Sequence, residues 1–140
     1  MNGFRLEELR IDPLTGEVSG PGGHDKLDPK VMQVLVHMAE HAGQVVSRED
    51  ILTQLWPHAV VTDDALTRCF YEIRRHLSHA GGDERYRELL ETLPKRGYRL
   101  NGKITYPASQ RRTTVIAIAA AVLVTGIVAL MIVRKPVEPA

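Results

Sequence analysis

The chain has 140 residues, which suits one small domain with an appendage. Its formal net charge of +1 hides an asymmetry, because residues 1–67 carry five Lys or Arg against eleven Asp or Glu, while residues 68–110 carry nine against five. The excess positive charge of residues 68–110 indicates an anionic partner or a solvated charged face. The single cysteine excludes an intrachain disulfide.

Short strands separated by turns are predicted for the first 27 residues. The segments FRLEELRI (4–11) and EVSG (17–20) favour strands, while DPLTG and GPGG have the proline and glycine typical of turns. Together they predict an N-terminal antiparallel sheet.

Two helices are predicted next. In LDPKVMQVLVHMAEHAG, Asp28 is the expected N-cap, Pro29 suits the first helical position and Gly43 suits the end. In VVSREDILTQLWP, Ser47 is the expected cap and Pro57 ends the helix. This second helix is expected to turn four apolar side chains inward: Ile51, Leu52, Leu55 and Trp56.

A third helix is predicted in VTDDALTRCFYEIRRHL, with Thr62 as its cap. Helical spacing puts an apolar set on one face: Leu66, Cys69, Phe70, Ile73 and Leu77. It puts a polar set on the other: Thr67, Arg68, Tyr71, Arg74 and Arg75. Cys69 is therefore predicted to be a small core residue and not a reactive thiol.

A two-stranded hairpin is predicted in LLETLPKRGYRLNGKI. Pro94 and Gly97 bracket a turn that presents Lys95 and Arg96. Tyr98 is expected to share its face of the return strand with Leu100.

Three helices followed by a hairpin is the order of a winged helix, an α+β fold. A helix fits the major groove of DNA, and a basic hairpin tip can reach a neighbouring groove or phosphate. The predicted contacts to double-stranded DNA are Thr67, Arg68, Tyr71, Arg74 and Arg75 on the helix and Lys95 and Arg96 on the hairpin. No catalytic residue, metal or cofactor is predicted, so the chain is not expected to be an enzyme.

From Phe4 to about Ile104 the chain resembles an OmpR/PhoB-type winged-helix DNA-binding domain. The resemblance rests on the N-terminal strands, the three helical segments and the hairpin ETLPKRGYRL. It implies a DNA-binding domain over residues 1–104, with Asp63–Leu77 as recognition helix and the hairpin around Gly97 as wing. The family often pairs head-to-tail on direct repeats.

Two departures from the family pattern matter. The chain shows no receiver domain, so phosphorelay control is implied by the family only. The tip PKRGY differs from the usual RGxGY and is similar to that of CadC-like membrane-integrated bacterial regulators. Glu72, an acid beside the basic residues, is expected to repel phosphate, to accept from a cytosine amino group, or to pair with Arg68 or Arg75.

A membrane span is predicted at residues 115–133, which are uncharged with one polar residue, Thr125. Nineteen residues at ~1.5 Å rise reach roughly 28 Å, close to the hydrocarbon thickness of a bilayer. The alternative, a buried core helix, would need more surrounding chain. Because no N-terminal signal peptide is seen, the domain is expected in the cytoplasm, with residues 105–114 as linker, the span in the inner membrane and 134–140 outside.

A stripe of small residues recurs every four positions in this span: Ala117, Ala121, Thr125 and Ala129. It would let two such helices approach closely as a homodimer, although alanine is simply frequent here. The seven residues after the span are too few to fold as a sensor, which suggests a separate membrane sensor protein or a shortened form of a longer regulator.

Two other functions are weighed against DNA binding. HMAEH matches the H-x-x-E-H pattern of zinc peptidases, with His37 and His41 as ligands and Glu40 as base, but a third ligand is not evident. His76 and His79 are interpreted as surface residues. A membrane-tethered module that binds protein is the other alternative, and the salt dependence of DNA binding separates it from a regulator.

Overall fold

The structure is a computed structural model that describes residues 3–107. The first four strands are β1 (Phe4–Leu6), β2 (Leu9–Asp12), β3 (Glu17–Gly20) and β4 (Gly23–Lys26). Three helices follow, α1 (Pro29–Glu40), α2 (Arg48–Leu55) and α3 (Asp63–Gly81). After a 3-10 helix (Glu84–Leu89) come β5 (Leu90–Leu93), β6 (Gly97–Leu100) and β7 (Ile104–Thr105). The predicted α+β winged helix is confirmed in these residues.

The N-terminal sheet is antiparallel in the order β4-β3-β2-β1-β7. It is larger than the sequence indicated. The segment 4–11 splits into two strands at a turn in which Glu7 has φ 52°, and the glycine-rich segment predicted as a turn continues into β4. β7 pairs Ile104 with Leu6, so the sheet includes Thr105, the first residue of the predicted linker.

The predicted helix starts are confirmed, with local differences. Ser47 Oγ accepts from the Asp50 N–H at 3.1 Å, and Thr62 Oγ1 accepts from the Ala65 N–H at 3.4 Å. Asp28 precedes α1 but makes no capping hydrogen bond with its side chain. α3 continues about one turn past Leu77 and ends before Gly82, whose φ of 70° suits a glycine cap.

The core lies between the helices and the two sheets. All five residues of the predicted apolar face of α3 are buried, and Phe70 stacks on Tyr98 of the hairpin with ring centroids 3.7 Å apart. Burial raises the pKa of the Cys69 thiol, which agrees with its predicted core role. In α2 only Ile51 is fully buried, whereas Leu52, Leu55 and Trp56 pack half-buried against the core.

Between residues 3 and 107 the structure has no helix both long and apolar enough to span a bilayer. The predicted span at 115–133, its stripe of small residues and the tail at 134–140 lie outside the described residues.

Candidate nucleic-acid interface

The N-terminal half of α3 (residues 63–71) presents three of the predicted DNA contacts to solvent. Thr67, Arg68 and Tyr71 are all exposed, and Tyr71 is 56% accessible. The Thr67 hydroxyl donates to the Asp63 carbonyl oxygen at 3.0 Å and accepts from Arg48 Nη2 at 3.5 Å. Within residues 3–107, the side chains of Arg68 and Tyr71 form no hydrogen bond or salt bridge. Both side chains are therefore free to meet a ligand.

Arg74 is used differently from its neighbours on the same face. Its Nε donates to the Leu90 carbonyl oxygen at 2.9 Å, and its Nη2 donates to Thr92 Oγ1 at 2.6 Å. The side chain is half-buried, and this burial lowers the pKa of the guanidinium, although an arginine of this kind stays charged. Arg74 therefore fastens β5 of the hairpin to α3.

Arg75 is held by an acid of its own helix. Its Nη2 lies 2.8 Å from Glu72 Oε2, and this hydrogen bond lowers the pKa of the Glu72 carboxyl and raises that of Arg75. Of the roles expected for Glu72, pairing with Arg75 is the one seen. His76 Nε2 lies 3.4 Å from the same carboxylate oxygen.

His76 and His79 form a small cluster with β4. Asp25 Oδ2 lies 2.5 Å from His76 Nδ1 and 3.1 Å from His79 Nδ1. Burial raises the pKa of the Asp25 carboxyl, but the hydrogen bonds and charges of both imidazoles outweigh it, and the pKa is lowered. These contacts attach the C-terminal half of α3 (residues 72–81) to the N-terminal sheet.

The hairpin tip exposes both predicted basic residues, Lys95 and Arg96. The Arg96 N–H donates to the Leu93 carbonyl oxygen at 3.0 Å and closes a turn in which Lys95 has φ 65°, a conformation usually left to glycine. Gly97 follows with φ 136°, and a Cβ there would overlap the Val46 carbonyl group. The turn is therefore fixed against the segment that precedes α2.

Arg48 is an important residue that the sequence did not single out. At the start of α2, its Nη1 donates to the Tyr98 hydroxyl, and its Nη2 donates to the Asp63 carbonyl oxygen at 2.8 Å. It thereby joins α2, the first residue of α3 and β6 of the hairpin. An open groove of about 550 Å³ lies beside it, with Lys95 and Arg96 in its lining.

Among residues 3–107, one cluster of side chains could hold a metal ion. His37, Glu40 and His41 place one ligand atom each within 4.8 Å of one another at the end of α1. Burial and the neighbouring His41 lower the pKa of His37. Glu40, expected as a general base, thus lies among the ligand positions.

Known proteins match most of the described residues. The family described as "Transcriptional regulatory protein, C terminal" matches residues 23–100. The transcriptional activator CadC of Escherichia coli is 32% identical over 96 residues, and the transcriptional regulator HilA of Salmonella typhimurium is 39% identical over 95 residues. These alignments cover 69% and 66% of this chain but 18% and 16% of the relatives, so the chain spans less than a fifth of their length.

Solved structures share the fold. The DNA-binding domain of E. coli CadC superposes with a TM-score of 0.68 at 29% identity, covering 76% of this chain and 98% of that domain. The RstA DNA-binding domain of Klebsiella pneumoniae, solved in complex with the RstA box, gives 0.56 at 20% identity and covers 72% of this chain and 98% of that one. The second likeness concerns the fold alone.

Proposed function

Because the chain belongs to the family described as "Transcriptional regulatory protein, C terminal", we propose that it regulates transcription by binding specific sequences in double-stranded DNA. The OmpR/PhoB-type winged-helix domain predicted from the sequence is confirmed by this membership. The relatives are named as transcriptional regulators, and the proposal includes no catalytic activity.

The observation that supports DNA binding best is the pair of free basic surfaces on α3 and the hairpin. Arg68 and Tyr71 project from α3 without partners in the described residues, and the hairpin tip exposes Lys95 and Arg96. Arginine donates to guanine edges or phosphates, and the Thr67 methyl suits contact with thymine. In the proposal the N-terminal half of α3 enters the major groove.

The backbone at Lys95 supports a ligand-binding role for the tip. A non-glycine residue in the left-handed conformation costs about 1–2 kcal/mol, which glycine would avoid. The presence of a cation in this unfavourable backbone conformation is explained if it meets a phosphate of the backbone or the minor groove. In this arrangement Arg48 and Arg74 act as positioning residues, because each joins the hairpin to the helices.

We extend the proposal to the membrane. Residues 115–133 would cross the inner membrane once, with the winged helix in the cytoplasm and residues 134–140 outside. Because Thr105 belongs to β7, the linker would be the nine residues 106–114, which reach at most about 32 Å, so the bound DNA would be held close to the bilayer.

Two routes would bring a signal to such a domain. Pairing of two spans through the stripe at Ala117, Ala121, Thr125 and Ala129 would place two winged helices side by side, which suits repeated half-sites. In the second route, a separate membrane sensor protein would act on the span. A reporter of span association, with Ala121→Leu as the disrupting variant and Leu123→Ala as control, separates the first route from the second.

DNA binding is tested by genome-wide mapping of DNA bound to the intact chain and to a version ending at Gln110. We expect both to enrich the same sites. Affinity for the most enriched fragment should fall steeply with rising salt, and Arg96→Ala should reduce the salt slope by about one unit. If neither version enriches any site, the tethered protein-binding module is favoured instead.

The membrane proposal needs its own test. Alkaline phosphatase fused after Ala140 should be active, because it folds outside the cytoplasm, whereas the same fusion after Gln110 should be inactive. Activity from the Gln110 fusion, or none from the Ala140 fusion when it is stably produced, would reject the proposed orientation.

A further inference from the structure

The end of α1 carries a cluster of metal-ligating side chains that DNA binding does not use. His37 and His41 are four residues apart and therefore lie on one side of the helix, and Glu40 lies between them. Their rings have centroids 4.6 Å apart, and the three ligand atoms lie within 4.8 Å of one another.

The orientation of the His41 ring suits metal binding. Its Nδ1 lies 2.9 Å from the His37 carbonyl oxygen, which only accepts, so Nδ1 must be the donor. A neutral imidazole that donates through Nδ1 keeps a lone pair on Nε2. Metal-binding histidines are commonly fixed in this way by a carbonyl or carboxylate.

The surroundings leave room for an ion and its water. An open groove of about 430 Å³ adjoins the cluster and is lined by Gln44, Gln54 and Asp50 as well as the three candidate ligands. Asp50, from the first turn of α2, is the further charged group on this groove. Two carboxylates and two imidazoles thus lie on an open groove that Val45 and Val46 also line.

We propose that His37, Glu40 and His41 bind a divalent cation of the Zn²⁺ class, with water or Asp50 as fourth ligand. Imidazole nitrogen with carboxylate oxygen favours zinc and its neighbours over Mg²⁺ or Ca²⁺, which prefer oxygen alone. Ligands at ~2.0–2.1 Å from zinc lie roughly 3.3 Å apart in a tetrahedron, so small side-chain rotations close the observed spacing.

Glu40 serves as a ligand in this site and not as the base of a peptidase. Its carboxylate lies in the same cluster as both imidazoles and would occupy a coordination position. Because all three ligands come from the last turn of α1 and its C-terminal cap, the bound ion would brace this end of the helix. The inference is independent of DNA binding.

The test uses the full chain in detergent, prepared without a polyhistidine tag and titrated with Zn²⁺ against a chromophoric chelator. We expect one Zn²⁺ per chain with micromolar affinity. His37→Gln with His41→Gln should weaken binding at least a hundredfold, and Glu40→Gln at least tenfold. A matched control, His24→Gln with His58→Gln, removes two histidines elsewhere and should leave the affinity unchanged.

Two further readouts keep the variants interpretable. Circular dichroism without metal should be the same for all of them, and Zn²⁺ should raise the thermal midpoint of the wild-type chain and the control but not of the double His37, His41 variant. Affinity unchanged by the cluster variants, or lost equally in the control, would overturn the proposal.

Discussion

The two halves of α3 carry similar polar side chains but use them differently. In residues 63–71, Arg68 and Tyr71 remain free among the described residues. In residues 72–81 the polar groups are engaged with the helix itself, the hairpin or β4: Glu72, Arg74, Arg75, His76 and His79. The difference shows that a place on the polar face of a helix does not by itself identify a ligand contact. Side chains on the same face also bind neighbouring parts of the protein.

Close backbone packing explains why the C-terminal half is engaged. The Gly22 N–H donates to the Ala80 carbonyl oxygen at 2.8 Å, which brings the β3–β4 turn against the end of α3. At the same end of the helix, Gly81 faces the ring of Tyr86, whose hydroxyl donates to Glu8 Oε2 at 2.6 Å. The polar side chains of this half are therefore engaged, whereas Arg68 and Tyr71 project from the polar face of the other half.

The largest effect on stability is expected from Gly81→Ala, which disturbs the packing of the C-terminal half of α3. The new methyl group would overlap the buried Tyr86 ring, and we expect the free energy of unfolding to fall by about 3 kcal/mol. Urea unfolding followed by the single tryptophan, Trp56, measures it. Gly43→Ala is the control, because no atom lies within 4 Å of its added methyl and only its φ of 80° is strained. An equal loss in both variants would contradict close packing at Gly81.

Arg74→Ala comes next and separates positioning from contact. Loss of two hydrogen bonds from a charged donor, one of them to the carbonyl oxygen of the buried Leu90, should lower the free energy of unfolding by about 2 kcal/mol. Arg74→Lys should restore little, because an ammonium lacks the planar fork. If Arg74→Ala left stability unchanged but weakened DNA binding as much as Arg68→Ala, Arg74 would be a DNA contact like Arg68 and not a positioning residue.

Local signals in the sequence predicted most of the fold. Ser47 and Thr62 cap α2 and α3 as expected, because a cap depends on residues within one turn. The strand β7 could not be predicted in this way. It has two residues, and its pairing of Ile104 with Leu6 depends on chain far away in the sequence.

The candidate site was predicted as a set of residues but not as an arrangement. Helical spacing put Arg68 and Arg74 on one face, yet it does not predict that Arg74 donates to acceptors on Leu90 and Thr92. Arg48 was missed for the same reason, since its partner Tyr98 is 50 residues away. Such long-range partners arise only when the hairpin folds back on α2 and α3.

Arg68→Ala directly tests the DNA contact proposed for the N-terminal half of α3. It should lower affinity for the most enriched DNA fragment about tenfold, or ~1.4 kcal/mol, without changing stability, because the side chain has no partner in residues 3–107. Fluorescence anisotropy at two salt concentrations measures it. Arg10→Ala removes an exposed arginine from β2 and should leave affinity unchanged. Equal effects of the two variants would point to a diffuse charge effect.

The smallest effect is expected at the contact between the C-terminal half and the sheet, and it depends on pH. The lowered pKa of Asp25 means that its ionised form stabilises the fold above the ordinary carboxyl pKa, and this contribution disappears as pH falls through the folded value, below about pH 4. Asp25→Asn should therefore cost at most about 1 kcal/mol at pH 6, since the group is partly solvated, and the cost should shrink as pH falls below about 4.

Trp56 fluorescence in urea at pH 6, 4 and 3 measures this difference between wild type and Asp25→Asn. Glu88→Gln is the matched control, because Glu88 is exposed and its carboxylate has no hydrogen bond in the described residues. DNA affinity at pH 7 should be the same for all three chains, since Asp25 supports the half of α3 that is not proposed to enter the groove. A drop in affinity without a drop in stability would show that the two halves are not separate in function.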